Sequence, residues 1–207
     1  MKGYNLMSQT AILLAAGYSS RMGGIKALLP WNGLPLIEHQ VQQLLKTSIK
    51  DIVIVLGYKA YEIKKVIVKY PVQIIYNPNY SNGKTSSIKA GINALKDYSR
   101  TYLIVPVDTP IESQMIEMMI QQLLCNNSNI VIPVYSGKRG HPILLNGSLR
   151  NDILSISEEK MGLKELLRKY QSSTSELHVN KEHVLYNLNT REDYISLKDH
   201  LERRRQQ

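Results

Sequence analysis

The sequence predicts an α/β fold: a three-layer α/β/α arrangement around a mainly parallel central sheet, with a small β-hairpin excursion. Three observations predict it. Apolar runs of strand length occur at Ala11 to Ala16, Asp51 to Leu56, Val72 to Tyr76 and Thr101 to Val107. Runs this short and this apolar are expected of strands buried on both faces. Stretches with helical spacing lie between them, and polar breaks rich in Gly, Asn and Pro punctuate the order. Strand and helix in alternation is the pattern of parallel strands joined by crossover helices.

Each element follows in order. Ala11 to Ala16 passes at once into a glycine-rich loop carrying Gly17, Ser19, Ser20, Arg21, Gly23, Gly24 and Lys26. Trp31-Asn32-Gly33 reads as a turn. Leu34, Leu36, Ile37, Val41, Leu44 and Leu45 then show helical spacing, with polar Glu38, Gln40, Gln42 and Gln43 between them. Asp51 to Leu56 is a second strand closed by Gly57. Tyr58 to Lys69 reads as a helix with Ile63, Val66 and Ile67 inward. Asn77-Pro78-Asn79 stops the third strand, Asn82-Gly83 is a turn, and a helix follows with Ile88, Gly91, Ile92 and Leu95 on its apolar side. Thr101 to Val107 leads into Asp108-Thr109-Pro110 and a helix from Ile111 to Leu124, with Met115, Ile116, Met119, Ile120 and Leu123 as core.

From Asn129 the rhythm changes. Ile130 to Val134 and the run from His141 to Leu145 flank the turn Ser136 to Gly140, as a hairpin laid over the sheet. Ser148 to Ile156 and Gly162 to Tyr170 are helical patterns, and the polar stretch Ser172 to Glu176 separates them from the last region. There Leu177 to Val179 and Val184 to Leu188 read as strands, before a final helix with Tyr194, Ile195 and Leu197. No repeat or linker divides the chain, so one domain is expected over residues 1–207, with a basic tail from about 198 to 207.

Composition narrows the function classes. Hydrophobic residues make up 43% of the chain, which excludes a largely disordered protein. The formal charge is +9, part of it in Arg203, Arg204 and Arg205. Such an excess permits nucleic-acid or membrane association. There is, however, no zinc-finger spacing and no aromatic-basic interleaving, and anionic small molecules account for the charge as naturally. Cys125 is the single cysteine, which excludes an intrachain disulfide and a cysteine metal cluster. At the end of an apolar helix pattern, its thiol is expected to be buried or half-buried. Lys2 is followed by no apolar block before Thr10, and no run reaches membrane-spanning length, so a cytoplasmic protein is expected.

Four stretches carry candidate chemistry. Small residues at Ala15, Ala16 and Gly17 let backbone approach a ligand, and Arg21 and Lys26 add two cations at the end of a buried strand. That combination suits a phosphate-bearing ligand; a tight turn with two solvated bases is the alternative. The loop matches neither the P-loop nor the Gly-x-Gly-x-x-Gly pattern. In Asn77 to Gly91, Ser86 and Ser87 fall in a first helical turn beside Lys84, suited to an anion or to ordinary capping. Asp108 ends a central strand, where a hard divalent cation finds an oxygen; capping the next helix is the alternative. Lys138, Arg139 and His141 form a basic group suited to an anionic acceptor, or an exposed turn.

LAAGYSSRMGGIK, from Leu14 to Lys26, resembles the signature loop of nucleotidyltransferases that use a nucleoside triphosphate, and among them the molybdenum cofactor cytidylyltransferase-like group. The segment from Asn77 with Gly83, Ser87 and Gly91 resembles that family's second nucleotide-contacting segment. Pro106 to Pro110 resembles its metal-aspartate motif, Gly137 to Pro142 its acceptor-side loop, and Asn187 to Asp193 its closing motif. The wider group is the molybdopterin-guanine dinucleotide synthase-like superfamily, with a nucleotide-diphospho-sugar transferase-like, Rossmann-like fold.

The resemblance implies roles. Leu14, Ala15, Ala16, Gly17, Asn77, Gly83 and Ser87 would form the nucleotide pocket, with Arg21 and Lys26 on the triphosphate. Asp108 and Asn189 would position Mg2+, and Arg21, Lys26 and Asp108 would be the catalytic set. Lys138, Arg139, Gly140 and His141 would face the acceptor phosphate. The implied reaction is cytidylyl transfer from CTP to molybdopterin or molybdenum cofactor, releasing pyrophosphate, with delivery to a molybdenum hydroxylase and no specific nucleic acid or membrane partner. Leu14-Ala15-Ala16-Gly17 and Gly140-His141-Pro142 favour cytidine. Asn189, where cytidylyl relatives commonly carry aspartate, favours guanosine, and Arg191 replaces a usual proline. Guanylyl transfer, a sugar or polyol phosphate acceptor, and a non-catalytic nucleotide-binding module remain alternatives.

Overall fold

The structure is a computed structural model describing residues 8–95 and 99–205, the side chains of 199–205 excepted. The expectations for Lys2 and for the Arg203 to Arg205 side chains lie outside the described residues.

The chain runs β1 (Gln9–Ala15), the two-residue strands β2 (Pro30–Trp31) and β3 (Leu34–Pro35), α1 (Leu36–Leu45), β4 (Asp51–Leu56), α2 (Ala60–Ile67), β5 (Gln73–Tyr76), α3 (Lys84–Asn93) and β6 (Thr101–Pro106). It continues through α4 (Ser113–Cys125), β7 (Ile130–Tyr135), β8 (Lys138–Arg139), β9 (Ile143–Asn146), α5 (Arg150–Ser155), α6 (Leu163–Lys169), β10 (Thr174–His178) and α7 (Arg191–Arg205). Asn32 (φ 50°) and Gly33 (φ 82°), both left-handed, close the β2–β3 hairpin.

The main sheet has the order β10-β7-β9-β6-β1-β4-β5, with β8 paired to β7. β1 pairs in parallel with β4 on one side and β6 on the other, and the edge strands β5 and β10 pair in parallel with β4 and β7. β9 is antiparallel to both β6 and β7. The expected three-layer α/β/α fold is therefore present, with a mixed, largely parallel sheet.

The alternation of buried residues along β1 explains the layers. Ala11, Leu13 and Ala15 pack with α1, α2 and α4 residues such as Leu36, Val41, Ile63, Ile116 and Met119. Ile12, Leu14 and Ala16 pack on the opposite face with Ile88, Ile92, Ile153 and Leu166 of α3, α5 and α6. A strand covered on both faces has no polar position to spare. The chain winds outward from β1 to β4 and β5, then returns across to β6. A right-handed crossover in the reversed direction puts α3 on the other face. The strand order thus reverses between β1 and β6, and the crevice at their carboxyl ends is where open α/β sheets bind ligands.

Four expectations need correction. The segment expected to lie over the sheet as a hairpin is built into it, because Leu144 and Leu145 of β9 are wholly buried between β6 and β7. The polar stretch expected to separate regions contributes β10, which begins at Thr174. As an edge strand it buries Leu177 and leaves its hydroxyls to pair locally, as Ser175 does with Ser128. Val184 to Leu188 is not a strand: a 3-10 turn spans Glu182–Leu185. Val184 and Leu188, four residues apart, are the buried positions. Cys125 is exposed, because the last turn of α4 leaves the core.

Candidate active site

Lys26 sits at the centre of the crevice. Its stem is buried and its residue is 8% exposed. The loop that presents it is stapled to the core by Met22 and Ala27 and turned by left-handed Ser19 (φ 54°) and Gly23 (φ 65°). Lys26 Nζ donates to Asp108 Oδ2 at 3.0 Å and to Asn189 Oδ1 at 3.2 Å. One ammonium thus ties together the loop after β1, the loop after β6 and the segment before α7.

Asp108 owes its position to hydrogen bonds that hold its own backbone and that of its neighbours. Val107 N–H donates to Leu14 O at 3.1 Å, and Leu188 N–H donates to Asp108 O at 3.2 Å. Thr109 Oγ1 donates to Tyr186 O at 2.9 Å. Gln40 of α1, with no exposed surface, donates to Thr109 O at 2.7 Å and to Val107 O at 3.3 Å, and accepts from Ile111 N–H at 3.0 Å. Asp108 does not cap α4, whose N-cap residue is Glu112. Sequence reading passed over Gln40 as one of several polar positions. The available signal was its spacing, four residues from both Leu36 and Leu44, which puts it in the apolar stripe of α1.

A cavity of about 310 Å³ opens over these groups, and Leu14, Ala15, Ala16, Gly17, Lys26, Gly83, Ser87 and Asp108 all line it. Asn77 lies just behind, buried, with its amide donating to Ser86 Oγ at 2.9 Å and to Ser87 Oγ at 3.1 Å. Arg21 is exposed and outside this lining. Its charge is felt instead by Asp193, whose carboxyl is held below its usual range chiefly by Thr190, with Arg21 a smaller contribution. Thr190 and Asp193 form a reciprocal capping box at the start of α7. The structure therefore joins Lys26 and Asp108 in one crevice and leaves Arg21 on its outside.

Tyr18 and Tyr80 also line the cavity, their ring centroids 5.1 Å apart, and Tyr58 lies 5.3 Å from Tyr18. Sequence reading assigned the tyrosines no role; the one signal was Tyr18 standing directly after Gly17. Half-exposed rings at a cavity mouth offer flat apolar faces to a planar base.

A second cavity, of about 420 Å³, lies between α3, α6 and the β7–β9 region, and Arg139, Gly140 and His141 line it. Lys138 is exposed and outside the lining, and the Arg139 Nε donates to Glu176 Oε1 at 2.8 Å. The expected basic group is thus divided. Gly140 is needed for close packing, since a Cβ there would run into Val184. His141 N–H donates to Val184 O at 2.9 Å, while its Nδ1 is buried without a partner among the described residues. Burial, reinforced by the Lys84 charge and opposed by Asp108, pushes the imidazole down to about 4, so it is neutral near pH 7. The first turn of α3 has an internal anion already: Glu158 Oε1 accepts from Thr85 N–H at 2.6 Å.

For a divalent cation, the test is whether oxygens converge. Asp108 Oδ2 and Asn189 Oδ1 both reach the single point held by the Lys26 ammonium. Among the described residues no cluster of three or more His, Cys, Asp or Glu is arranged for a metal. Two oxygens at a shared point fit Mg2+, which keeps waters and takes phosphate oxygens for the rest of its shell.

Comparison with known proteins agrees with this arrangement. Residues 11–174 match the MobA-like NTP transferase domain. The chain is 27% identical over 190 residues to a molybdenum cofactor cytidylyltransferase of Escherichia coli, covering 91% of this chain and 94% of that one. It is 29% identical over 192 residues to a probable molybdenum cofactor guanylyltransferase of Bacillus cereus (89% and 92%). It is also 32% identical over 169 residues to a nicotine blue oxidoreductase of Paenarthrobacter nicotinovorans (77% and 81%). Among solved structures, a nucleotidyl transferase from Methanothermobacter superposes with a TM-score of 0.80 at 21% identity, covering 95% of this chain and 98% of that one, which shows the shared fold. With the domain match spanning most of its length and both sides of the Lys26–Asp108 crevice, the chain belongs to the MobA-like NTP transferase family.

Proposed function

We propose that this protein transfers a nucleotidyl group, cytidylyl from CTP, to molybdopterin or molybdenum cofactor in the cytoplasm, releasing pyrophosphate. The observation that carries the reading is the convergence of Lys26, Asp108 and Asn189 at the floor of a cavity whose mouth bears tyrosine rings.

In this reading the base lies against Tyr18 and Tyr80, with backbone at Ala15 to Gly17 along the ribose and Ser87 and Gly83 closing the far wall. An acceptor phosphate oxygen attacks the α-phosphorus, the α–β P–O bond breaks, and pyrophosphate leaves with the electron pair. A phosphate monoester is largely ionised near neutral pH, so no general base is required, and neutral His141 is given none of that work. The protein aligns two anions and neutralises charge. Lys26 supplies a point charge on the phosphates once it is released from Asp108, and Arg21 waits at the loop's outer side for the leaving pyrophosphate. Asp108 and Asn189 would hold Mg2+, which would supply positive charge against the phosphates.

Guanylyl transfer stays as the second reading because the closing motif carries Asn189, and named relatives of both kinds match the chain over similar lengths. The test is pyrophosphate release from each nucleoside triphosphate with Mg2+ and molybdopterin. CTP-dependent release is expected. Release with GTP alone would move the assignment to guanylyl transfer, and release with neither would overturn both.

A further inference from the structure

The two cavities meet at one cation. Lys84, the first residue of α3, lines the cavity over Lys26 and Asp108 and also the cavity beside His141. Among the described residues it is the one side chain common to both linings. Of the other cations lining these cavities, Lys26 is paired with Asp108 at 3.0 Å and Arg139 with Glu176 at 2.8 Å, and Lys164 lines only the cavity beside His141. Lys84 is exposed, and among the described residues no carboxylate lies within ion-pair distance of it. Asp108 lines the first of these cavities and His141 the second, with Lys84 in both linings.

We propose that Lys84 is a catalytic residue whose ammonium contacts both reacting phosphates, the nucleotide's on one side and the acceptor's on the other. The proposal rests on the nucleotidyl-transfer reading. Two anions brought together repel each other, and a cation between them removes most of that cost where the bond forms. Lysine suits the position: a compact charge on a flexible stem with three donors can serve two oxygens at once. It takes part in no proton transfer. The new P–O bond uses an acceptor oxygen lone pair, and the electron pair of the broken bond departs with pyrophosphate. Placed at the start of α3, the ammonium also lets phosphates share the partial positive charge of that helix end, although Glu158 already takes the Thr85 amide. The acceptor would therefore meet both a cation and a carboxylate, which favours a phosphate monoester bearing hydrogen-bond donors.

The test uses the full chain as wild type, Lys84→Met, Lys84→Arg and Lys160→Gln, the last an exposed lysine outside both cavities. Calorimetry measures Mg-CTP and Mg-GTP binding, and inorganic phosphate probes the acceptor seat with a non-hydrolysable CTP analogue bound. Lys84→Met is expected to weaken nucleotide and phosphate about tenfold each and to slow transfer about a hundredfold. Lys84→Arg should recover part of both affinities, and Lys160→Gln should match wild type. Loss at only one seat, or a Lys84→Met protein indistinguishable from Lys160→Gln, would overturn the bridging role while leaving transferase function intact. A wild type that binds neither nucleotide nor phosphate would remove the transfer reading, and this role with it.

Discussion

Lys26 and Asp108, separated by 82 positions in the chain, lie 3.0 Å apart as an ion pair whose side chains are 10% and 20% exposed. The pair neutralises two charges at the floor of the crevice, and it marks where the loops after β1 and β6 meet. Asp108→Asn should lower transfer at least about a hundredfold while leaving the melting temperature within a few degrees, because the amide still accepts from the lysine. Steady-state rates beside thermal melts check this. Unchanged turnover would remove Asp108 from the reaction.

Gln40 is the support beneath that loop. Gln40→Leu keeps the volume but strands the Ile111 N–H and the Thr109 carbonyl in the core. Leaving buried polar groups unpaired is expected to cost about 2–4 kcal/mol, seen as a lower denaturation midpoint with an unchanged m-value. Transfer should fall more steeply than nucleotide binding, since the metal-side oxygen loses its position.

Asn189 offers the cation an oxygen but no charge. Asn189→Asp adds a second carboxylate at the point where Asp108 Oδ2 already converges, so Mg2+ affinity without nucleotide should rise several-fold. Titration with Mg2+, or with Mn2+ as a spectroscopic substitute, reads this directly. Equal affinities would place Asn189 on Lys26 alone.

Acid should destabilise the protein through its half-buried imidazoles. His141 is pushed down to about 4, and burial also lowers His39 and His183. The unfolded chain binds these protons near pH 6.5, whereas the folded chain resists them. Stability is therefore complete above about 6.5 and is lost as pH falls toward 4, by about 1.4 kcal/mol per pH unit from His141 alone. Lys84 and Asp108 face His141 with opposite effect. His141→Asn should flatten the pH dependence of the denaturation midpoint across that window, and an unchanged slope would mean the imidazole is not held neutral by the fold.

How much was legible from the sequence varies by element. The parallel half was, because strands such as Ile12 to Leu14 and Val53 to Val55 are buried on both faces and so read as continuous apolar runs. β10 was legible only at its end, where Leu177 to Val179 reads as a strand, since an edge strand needs only one inward residue, Leu177, and its other positions carry Thr, Ser, Glu and His. Val184 to Leu188 misled in the opposite direction: Val184 packs against the β8–β9 turn and Leu188 holds the Asp108 loop, and neither extends a sheet.

By itself, the sequence determined the layered α/β architecture and the loops that carry Lys26, Asp108, His141 and Asn189, because hydrophobic periodicity and glycine placement are local properties of a chain. Only the tertiary structure decided which of those groups meet. It put Lys26 against Asp108 and Asn189, left Arg21 outside, committed Arg139 to Glu176 and opened Lys84 to two cavities. The reason is geometric: spacing along a strand or helix says which face a residue takes, whereas contact between loops separated by 82 and 163 positions depends on strand order, which no local pattern encodes.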